Sequence, residues 1–196
     1  RNLWAVCRSV NSTAYLCRAK MSAYRRGGKV IVGSNVYLAV PVRTDGRGEV
    51  DIGGFTKFGF DLAPRFGSGE ILLQAREYDA VIQVGEKTSF SNNVSIIARK
   101  RIEFGAHCLI GDRVTVMDSD FHVTDPDMRL KHGGTGKSAP VVIGRNCWIG
   151  TDALICKGVQ IGDGCIIAPK SVVTKSFPSK SIVAGNPARL IRRFTA

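Results

Sequence analysis

Residues 141–173 read VVIGRNCWIGTDALICKGVQIGDGCIIAPKSVV, and aliphatic side chains recur in them at every sixth position. These positions are Ile143, Ile149, Ile155, Ile161, Ile167 and Val173. A small residue follows each of them directly, and a second compact residue comes four positions after each of the first five. The period matches neither the about 3.6 residues of a helix nor the about two of a plain strand. A short fixed repeat predicts stacked units that share one core.

Each six-residue unit supplies one flat side and one corner, and glycine tolerates the backbone that a corner needs. Three sides make a turn of about 18 residues, and stacked turns pair as parallel strands. The repeat therefore predicts a triangular parallel β-helix. The same period starts imperfectly at Val32 and Ile52, with breaks at 41–51 and 63–80, and it runs clearly from Val84 with one slip of two residues before Phe104.

The remaining sequence predicts three parts. Residues 1–28 have apolar side chains at spacings of three and four between Arg and Lys, which predicts a helical cap, either continuous or broken near Asn11-Ser12. Residues 29–178 form the coil, from which residues 117–140 protrude as a loop. Residues 179–196 predict a turn at Gly185-Asn186-Pro187 and then a short basic helix.

Composition narrows the function further. Lys and Arg number 28 against 16 Asp and Glu, a net charge of +12 that favours anionic partners. The basic residues are dispersed without a nucleic-acid-binding motif, so no nucleic acid partner is expected. The six cysteines form no CxxC pair, and Cys108, Cys147 and Cys165 fall at compact inward positions of the repeat. A reduced, cytoplasmic protein is expected, with peripheral contact of residues 1–28 at the inner face of a membrane as an alternative.

The protruding loop is the strongest candidate for chemistry. The offset from Val116 to Ile143 is 27 residues, which is not a multiple of six, so the segment between them cannot be continuous coil. It is long, polar and glycine-rich, and loops of this kind are usually functional or disordered. It holds His122 and His132, two of the three histidines.

Three features together resemble the left-handed β-helix, or hexapeptide-repeat, acyltransferases. They are the hexad array, the histidine-bearing loop just before IGRNCWIG (residues 143–150), and the ending VVTK…IVAGNPARLIR (residues 172–192). The chain is similar to the galactoside and maltose O-acetyltransferases and to O-acetyltransferases of bacterial surface polysaccharides. The resemblance implies an all-β, left-handed parallel β-helix, acetyl-CoA as the acetyl donor and a sugar or glycan acceptor. It also implies a homotrimer with active sites between subunits, and no metal.

The resemblance makes His122 the catalytic residue. An imidazole suits the removal of a hydroxyl proton while the oxygen attacks a thioester. His132 is the alternative base, and His107 is expected on the surface of the coil. Asn92 matches an asparagine that binds the acceptor, with Asn93 nearly equivalent, although a corner also favours asparagine. Asp118 and Asp120 either orient the imidazole and bind acceptor hydroxyls or cap a turn of the loop.

The donor site is expected along the main run of hexads and its C-terminal ending. Trp148 lies between two inward positions and should face outward, either as a wall for the pantetheine arm or as a subunit contact. The residues that the resemblance assigns to acetyl-CoA are Trp148, Gly150, Thr151, Ala168, Thr174, Lys175, Arg189 and Arg192. The arginines, with Lys170 and Lys180, would meet phosphates, although each alone is also a typical solvated charge.

Other functions stay open on the sequence alone. The acceptor could be an amino sugar, which is then N-acetylated, or serine or a xenobiotic, because the irregular early coils leave the acceptor side undefined. A metal hydrolyase of the carbonic-anhydrase type would use His107, His122 and His132, although their spacing does not match its ligands. A non-enzymatic scaffold is the last alternative.

Overall fold

The structure, a computed structural model, describes residues 3–60, 69–132 and 136–194, with only the backbone given for residues 3–11 and for His132. Two helices are present in these ranges, α1 (Leu3–Arg25) and α2 (Pro126–His132). The strands are β1 Lys29–Val32, β2 Tyr37–Leu38, β3 Val42–Arg43, β4 Glu49–Ile52, β5 Lys57–Phe58, β6 Ile71–Ala75, β7 Val81–Val84, β8 Ser89–Phe90, β9 Ser95–Ala98, β10 Arg101–Phe104, β11 Leu109–Ile110, β12 Thr115–Met117, β13 Val141–Ile143, β14 Trp148–Ile149, β15 Leu154–Ile155, β16 Gln160–Ile161, β17 Ile166–Ile167, β18 Val172–Val173, β19 Ser181–Gly185 and β20 Ala188–Arg193.

The strands form three sheets that make the three faces of a prism. The first sheet has the order β1-β4-β7-β10-β13-β16, the second β2-β5-β8-β11-β14-β17-β19-β20, and the third β3-β6-β9-β12-β15-β18. Every strand but β20 pairs in parallel with its neighbours one coil away. The chain passes from the first sheet to the second, then to the third, and back to the first, so each edge of the prism collects the corners of successive coils.

The six-residue period fills the interior as predicted. Ile143 lies in register with Phe104 on one side and with Ile161 on the other, so equivalent positions stack along the axis. The recurring aliphatic side chains of residues 143–173 are all at most 2% exposed. Burial of an aliphatic side chain of this size contributes about 1.5–3 kcal/mol. The two-residue slip lies at Arg99-Lys100, where a wider corner separates β9 from β10 and both flanking strands stay in the core.

The corners between the first and second sheets use left-handed backbone. Lys87, His107, Asn146 and Lys180 have φ between +54° and +63°, a region that non-glycine residues enter at a cost of about 1–2 kcal/mol each. Backbone hydrogen bonds between successive corners offset that cost, such as Asn146 N–H to the Ala106 carbonyl at 2.9 Å. His107 is exposed at such a corner, as expected from the sequence.

The N-terminal segment is one continuous helix, not two. Ser12 does not break α1, because its hydroxyl accepts a hydrogen bond from the Leu38 amide at 3.0 Å and so ties the helix to β2. Ala19 and Ala23 are buried, and the Ala19 carbonyl accepts from the Thr44 hydroxyl at 2.6 Å. The helix thus packs across β1, β2 and β3. None of the described helices is both long and apolar enough to span a bilayer.

The prediction of a short C-terminal helix is wrong. Residues Ala188–Arg193 form β20, which pairs antiparallel with β19 after a turn at Asn186-Pro187. Gly185 supports this turn with a φ of +101°. The free edge of β19 offers ready hydrogen-bond partners to the returning chain, and such tertiary pairing overrides the weak helix preference of a short segment.

Three cysteines stack in one interior column. The thiols of Cys108, Cys147 and Cys165 each donate to a carbonyl of the following coil, at 3.1, 3.2 and 3.2 Å. A hydrogen bond with the Cys108 thiol, together with burial, raises the pKa of Cys147 to about 12. All three are free, as predicted, and they act as compact core residues.

Candidate active site

His122 sits on a tight turn where the chain leaves the end of β12. The two limbs of the loop pair at its base: Asp120 N–H donates to the Lys137 carbonyl at 3.0 Å, and Ala139 N–H to the Asp118 carbonyl at 2.9 Å. The imidazole lies just beyond this short ribbon and is exposed. The loop therefore holds His122 at a fixed place outside the regular coil.

Neighbouring groups fix the backbone of this turn. Phe121 has a φ of +60°, and its N–H donates to the Ser119 hydroxyl at 3.0 Å. The Arg76 guanidinium lies 4.4 Å from the centroid of the Phe121 ring. Gly136 packs so tightly that a Cβ there would come within 2.2 Å of the His122 carbonyl oxygen, and that close approach requires glycine.

Asp118 has a structural role, close to the capping alternative that the sequence left open. It is fully buried, and its carboxylate accepts three backbone N–H groups, from Arg99 at 2.7 Å, Lys100 at 2.7 Å and Arg101 at 2.8 Å. It therefore caps the widened corner at the two-residue slip and ties the loop base to the preceding coil. The substrate-binding role predicted for Asp118 is not supported, because both carboxylate oxygens are already used and the side chain is out of reach.

Asp120 connects the same turn to the following coil. Its Oδ1 lies 2.6 Å from Lys157 Nζ, and both side chains are partly buried. Within the described residues no hydrogen bond joins Asp118 or Asp120 to the His122 ring, so neither carboxylate orients the imidazole here. Asp120 lies within the turn that carries His122.

The described histidines do not form a metal centre. His107 lies on the edge between the first and second sheets, whereas His122 follows the third sheet. No three His, Cys, Asp or Glu side chains of the described ranges are grouped in a way that could hold a metal ion. The arrangement thus offers no support for the hydrolyase alternative.

Asn92 lies far from His122 within one chain. It is buried at the corner between the second and third sheets, before β9, where its carbonyl accepts the Arg113 amide at 3.0 Å. His122 follows β12, at the other edge of the third sheet. The neighbouring Asn93, with a φ of +59°, donates to Asp112 at 3.2 Å. The corner role that asparagine favours is therefore visible for both residues.

Trp148 faces outward on the second sheet, as predicted, and is 51% exposed. It lies in register between Leu109 and Ile166. A groove of about 370 Å³ runs beside it, with mainly apolar walls. Its lining side chains include Phe60, Phe90, Leu109 and Trp148.

The row that contains Trp148 continues to the C-terminal hairpin. Ile166 pairs with Ile182, and Ile182 pairs with Arg192, so these residues share one outer row. Three strand spacings separate Trp148 from Arg192, a distance of about 14 Å. Arg189 is exposed on the same strand, β20. The second sheet thus presents an apolar row that ends at cationic side chains.

The other predicted donor-site residues divide between two edges. Gly150, Thr151 and Ala168 lie at the corner of the second and third sheets, in the same edge as Asn92. The Gly150 N–H already donates to the Ile167 carbonyl at 2.8 Å, so its amide is not available to a ligand. Thr174 and Lys175 are exposed at the edge between the third and first sheets, which also carries the His122 loop.

The sequence did not indicate the interactions that fix the His122 turn. They involve Arg76, Lys157 and Gly136, which are separated from His122 by 14 to 46 positions. The winding of the coil brings Arg76 and Lys157 to this turn, whereas Gly136 belongs to the same loop as His122. Of these three residues, only Gly136 could have been suspected from the sequence, because the loop is rich in glycine.

Comparison with known proteins agrees with the observed fold. Residues 140–175 match the family model described as bacterial transferase hexapeptide (six repeats). This chain therefore contains hexapeptide repeats of that kind. It is 34% identical over 115 residues to galactoside O-acetyltransferase of Escherichia coli (strain K12). The matched region covers 59% of this chain and 55% of that relative. Other curated relatives are matched over 60% of their length, so the chain spans between about half and two thirds of them.

Solved structures share the hexapeptide-repeat fold. The polySia-specific acetyltransferase NeuO matches with a TM-score of 0.67 at 22% identity, covering 86% of this chain and 83% of that one. The hexapeptide-repeat acetyltransferase VCA0836 from Vibrio cholerae O1 biovar eltor, complexed with acetyl-CoA, matches with a TM-score of 0.60 at 22% identity, over 98% and 89% of the two chains. These likenesses confirm the left-handed parallel β-helix predicted from the sequence.

Proposed function

We propose that this hexapeptide-repeat protein is an acetyl-CoA-dependent O-acetyltransferase that modifies a sugar or a glycan precursor, with His122 as the general base. One observation carries the proposal: the turn from Ser119 to His122 is fixed by hydrogen bonds and packing, yet it presents an exposed imidazole. The names of the relatives, which are sugar and polysaccharide acetyltransferases, support the reaction class.

The proposed reaction needs one proton transfer in each direction. Bound acetyl-CoA would supply an acetyl group already activated as a thioester. His122 takes the proton of the acceptor hydroxyl as its oxygen forms a bond to the acetyl carbon, and the imidazolium then returns that proton to the departing thiolate. The products are the acetyl ester and CoA, and no covalent bond to the enzyme is required.

The outer row of the second sheet suits the donor. Trp148 and the groove beside it would hold the pantetheine arm, and the apolar row through Ile166 and Ile182 leads to Arg192, about 14 Å away, for the phosphates. An extended arm has a length of this order. Guanidinium groups such as those of Arg189 and Arg192 form paired hydrogen bonds with phosphate oxygens.

The separation of the two edges supports a trimer with shared sites. Within one chain, Asn92, Thr151 and Ala168 lie on one edge of the third sheet, and His122, Thr174 and Lys175 lie on the other. A homotrimer about a three-fold axis parallel to the coils would place the first edge of one subunit beside the second edge of its neighbour. Each active site would then be completed by two subunits.

Thiol release from acetyl-CoA tests the proposed function. With purified protein, a panel of sugars, nucleotide sugars and amino sugars is added, and mass spectrometry identifies the acetylated product. We expect acceptor-dependent release of CoA and an ester product. Product acetylated on nitrogen would show the amino-sugar alternative instead, and zinc-dependent turnover without thiol release would contradict both.

Trp148→Ala should raise the KM for acetyl-CoA about tenfold, because loss of one aromatic wall removes roughly 1.5 kcal/mol of binding. The kcat should change little, since Trp148 does not touch the transferred proton. Tyr24→Ala is the matched control: it removes another exposed aromatic residue, on α1, and should leave KM unchanged. An unchanged KM in the Trp148 variant would place the donor elsewhere.

A further inference from the structure

A second cleft lies on the edge that carries His122. The corners between the third and first sheets stack along this edge, and those of the early coils carry Arg47 and Arg76. Together with the end of α1 they enclose a space of about 640 Å³. We call this the arginine cleft, and it is lined by Arg25, Arg26, Arg47, Arg76, Glu77 and Tyr78.

The cleft carries an excess of positive charge: among the described residues, only Arg26 of its four arginines has an acidic partner, Asp45 at 3.9 Å. Its one carboxylate, Glu77, lies 3.3 Å from Arg99 outside the cleft. Arg76 donates to the neutral Gln74 side chain at 2.7 Å. Arg25 and Arg47 have no acidic partner among the described residues. The wider sequence adds to this excess, since residues 1–44 hold eight Lys and Arg and no Asp or Glu.

Aromatic rings hold two of the guanidinium groups in place. Arg47 lies 5.2 Å from the centroid of the Tyr78 ring, and Arg76 lies 4.4 Å from that of Phe121. A stacked guanidinium keeps its N–H edges free for a planar anion and loses little freedom when it binds one. Tyr78 itself is 73% exposed and offers a flat surface on which a sugar ring can rest.

The cleft is continuous with the His122 turn. Arg76 belongs to both, because it lines the cleft and stacks on Phe121, the residue before His122. A polymer that followed this edge would pass from the cleft to the imidazole without crossing a face of the prism.

We propose that the arginine cleft binds carboxylate or phosphate groups of an extended anionic glycan whose neighbouring unit is acetylated at His122. This inference rests on the proposed function and specifies its acceptor as a charged saccharide of several units. The cleft acts as an acceptor subsite, and neutral sugars lack the groups that it recognises.

Matched acceptors test the proposal. Acetyl transfer is measured with an oligogalacturonate of about six units, with its carboxyl-reduced form, and with a phosphorylated oligosaccharide of similar length. The variants are Arg47→Gln, the double variant Arg25→Gln/Arg47→Gln, and Lys87→Gln. Lys87 is an exposed cation of the same coil as Arg76, on the edge between the first and second sheets, and is the charge-matched control.

We expect the KM for an anionic acceptor to be at least about tenfold below that for the neutral one, and to rise about tenfold or more in the double variant. The KM for the neutral acceptor and all values for Lys87→Gln should stay within about twofold. The two anionic arms show whether carboxylate or phosphate is preferred. Equal KM values for charged and neutral acceptors, or an equal loss in Lys87→Gln, would overturn the proposal.

Equilibrium binding separates this inference from the reaction itself. Fluorescence titration with the oligogalacturonate and the phosphorylated oligosaccharide needs no turnover, so binding that is lost in the double variant supports the cleft even where no acetyl transfer occurs. If neither saccharide binds, the inference is wrong. Cosedimentation with vesicles that contain anionic phospholipid tests whether the cleft binds a membrane surface instead. Vesicle binding that depends on Arg25 and Arg47, with saccharide binding unaffected, would assign the cleft to a membrane surface.

Discussion

Replacement of His122 by alanine is expected to lower the rate of acetyl transfer by about 10²- to 10⁴-fold, the usual contribution of a positioned general base. The physical reason is that the acceptor hydroxyl would have to lose its proton to water. The ring is exposed and has no hydrogen bond to a described residue, so the fold should be unchanged. Thiol release from acetyl-CoA at saturating acceptor measures the loss of rate. The thermal unfolding midpoint shows whether the fold is unchanged.

His107→Asn is the matched control for this experiment. It removes another exposed imidazole, and asparagine tolerates the left-handed φ of +63° at that corner. Its activity should stay within about twofold of the parent protein. His132→Ala tests the other loop histidine. Retention of more than about a tenth of the activity by His122→Ala, or a larger loss in His132→Ala, would show that the base has been assigned to the wrong residue.

Asp118→Ala should destabilise the protein by about 3–5 kcal/mol, which is less than the sum over its three hydrogen bonds because losses at one group are not additive. The substitution leaves three N–H groups at a buried corner without their charged acceptor, and each hydrogen bond to a charged group is worth about 1.5–3 kcal/mol. Because the same residue anchors the base of the His122 loop, activity should fall as well. Urea unfolding followed by circular dichroism measures the change.

If the alanine variant fails to fold, Asp118→Asn is the variant in which the loss of stability is measured. Asparagine keeps the shape and one acceptor oxygen but loses the charge, and a loss of about 2 kcal/mol is expected. Asp120→Ala is the control, since it removes only a partly exposed ion pair with Lys157, worth at most about 1 kcal/mol. Equal stability losses for Asp118→Asn and Asp120→Ala would mean that the corner does not depend on the buried carboxylate.

The coil could be predicted because its determinant is local. Each sixth side chain must point inward, and Ile143, Ile149 and Ile155 show that rule without reference to the rest of the chain. The prediction for the C-terminal segment failed because its determinant is not local. Whether Ala188–Arg193 becomes helix or strand depends on the free edge of β19, which the segment itself does not encode.

The candidate site was predicted in part. His122 could be located because the period fails around it. The role of Asp118 could not be derived, since its three partners lie 17 to 19 positions earlier in the chain and meet it only through one turn of the coil. The same winding places Asn92 and His122 on different edges of one chain, although the resemblance assigned both to the acceptor site.

The two ends of the prism bear on whether molecules of this protein associate end to end. A parallel coil ends in strands whose N–H and C=O groups could pair with another molecule, and stacking of such ends would grow a fibre. At the N-terminal end α1 lies across β1, β2 and β3. At the other end β20 reverses direction and presents Arg189, Arg192 and Arg193 along the outer edge of the second sheet. We expect α1 and β20 to hinder end-to-end stacking of the coil at the strands that they cover.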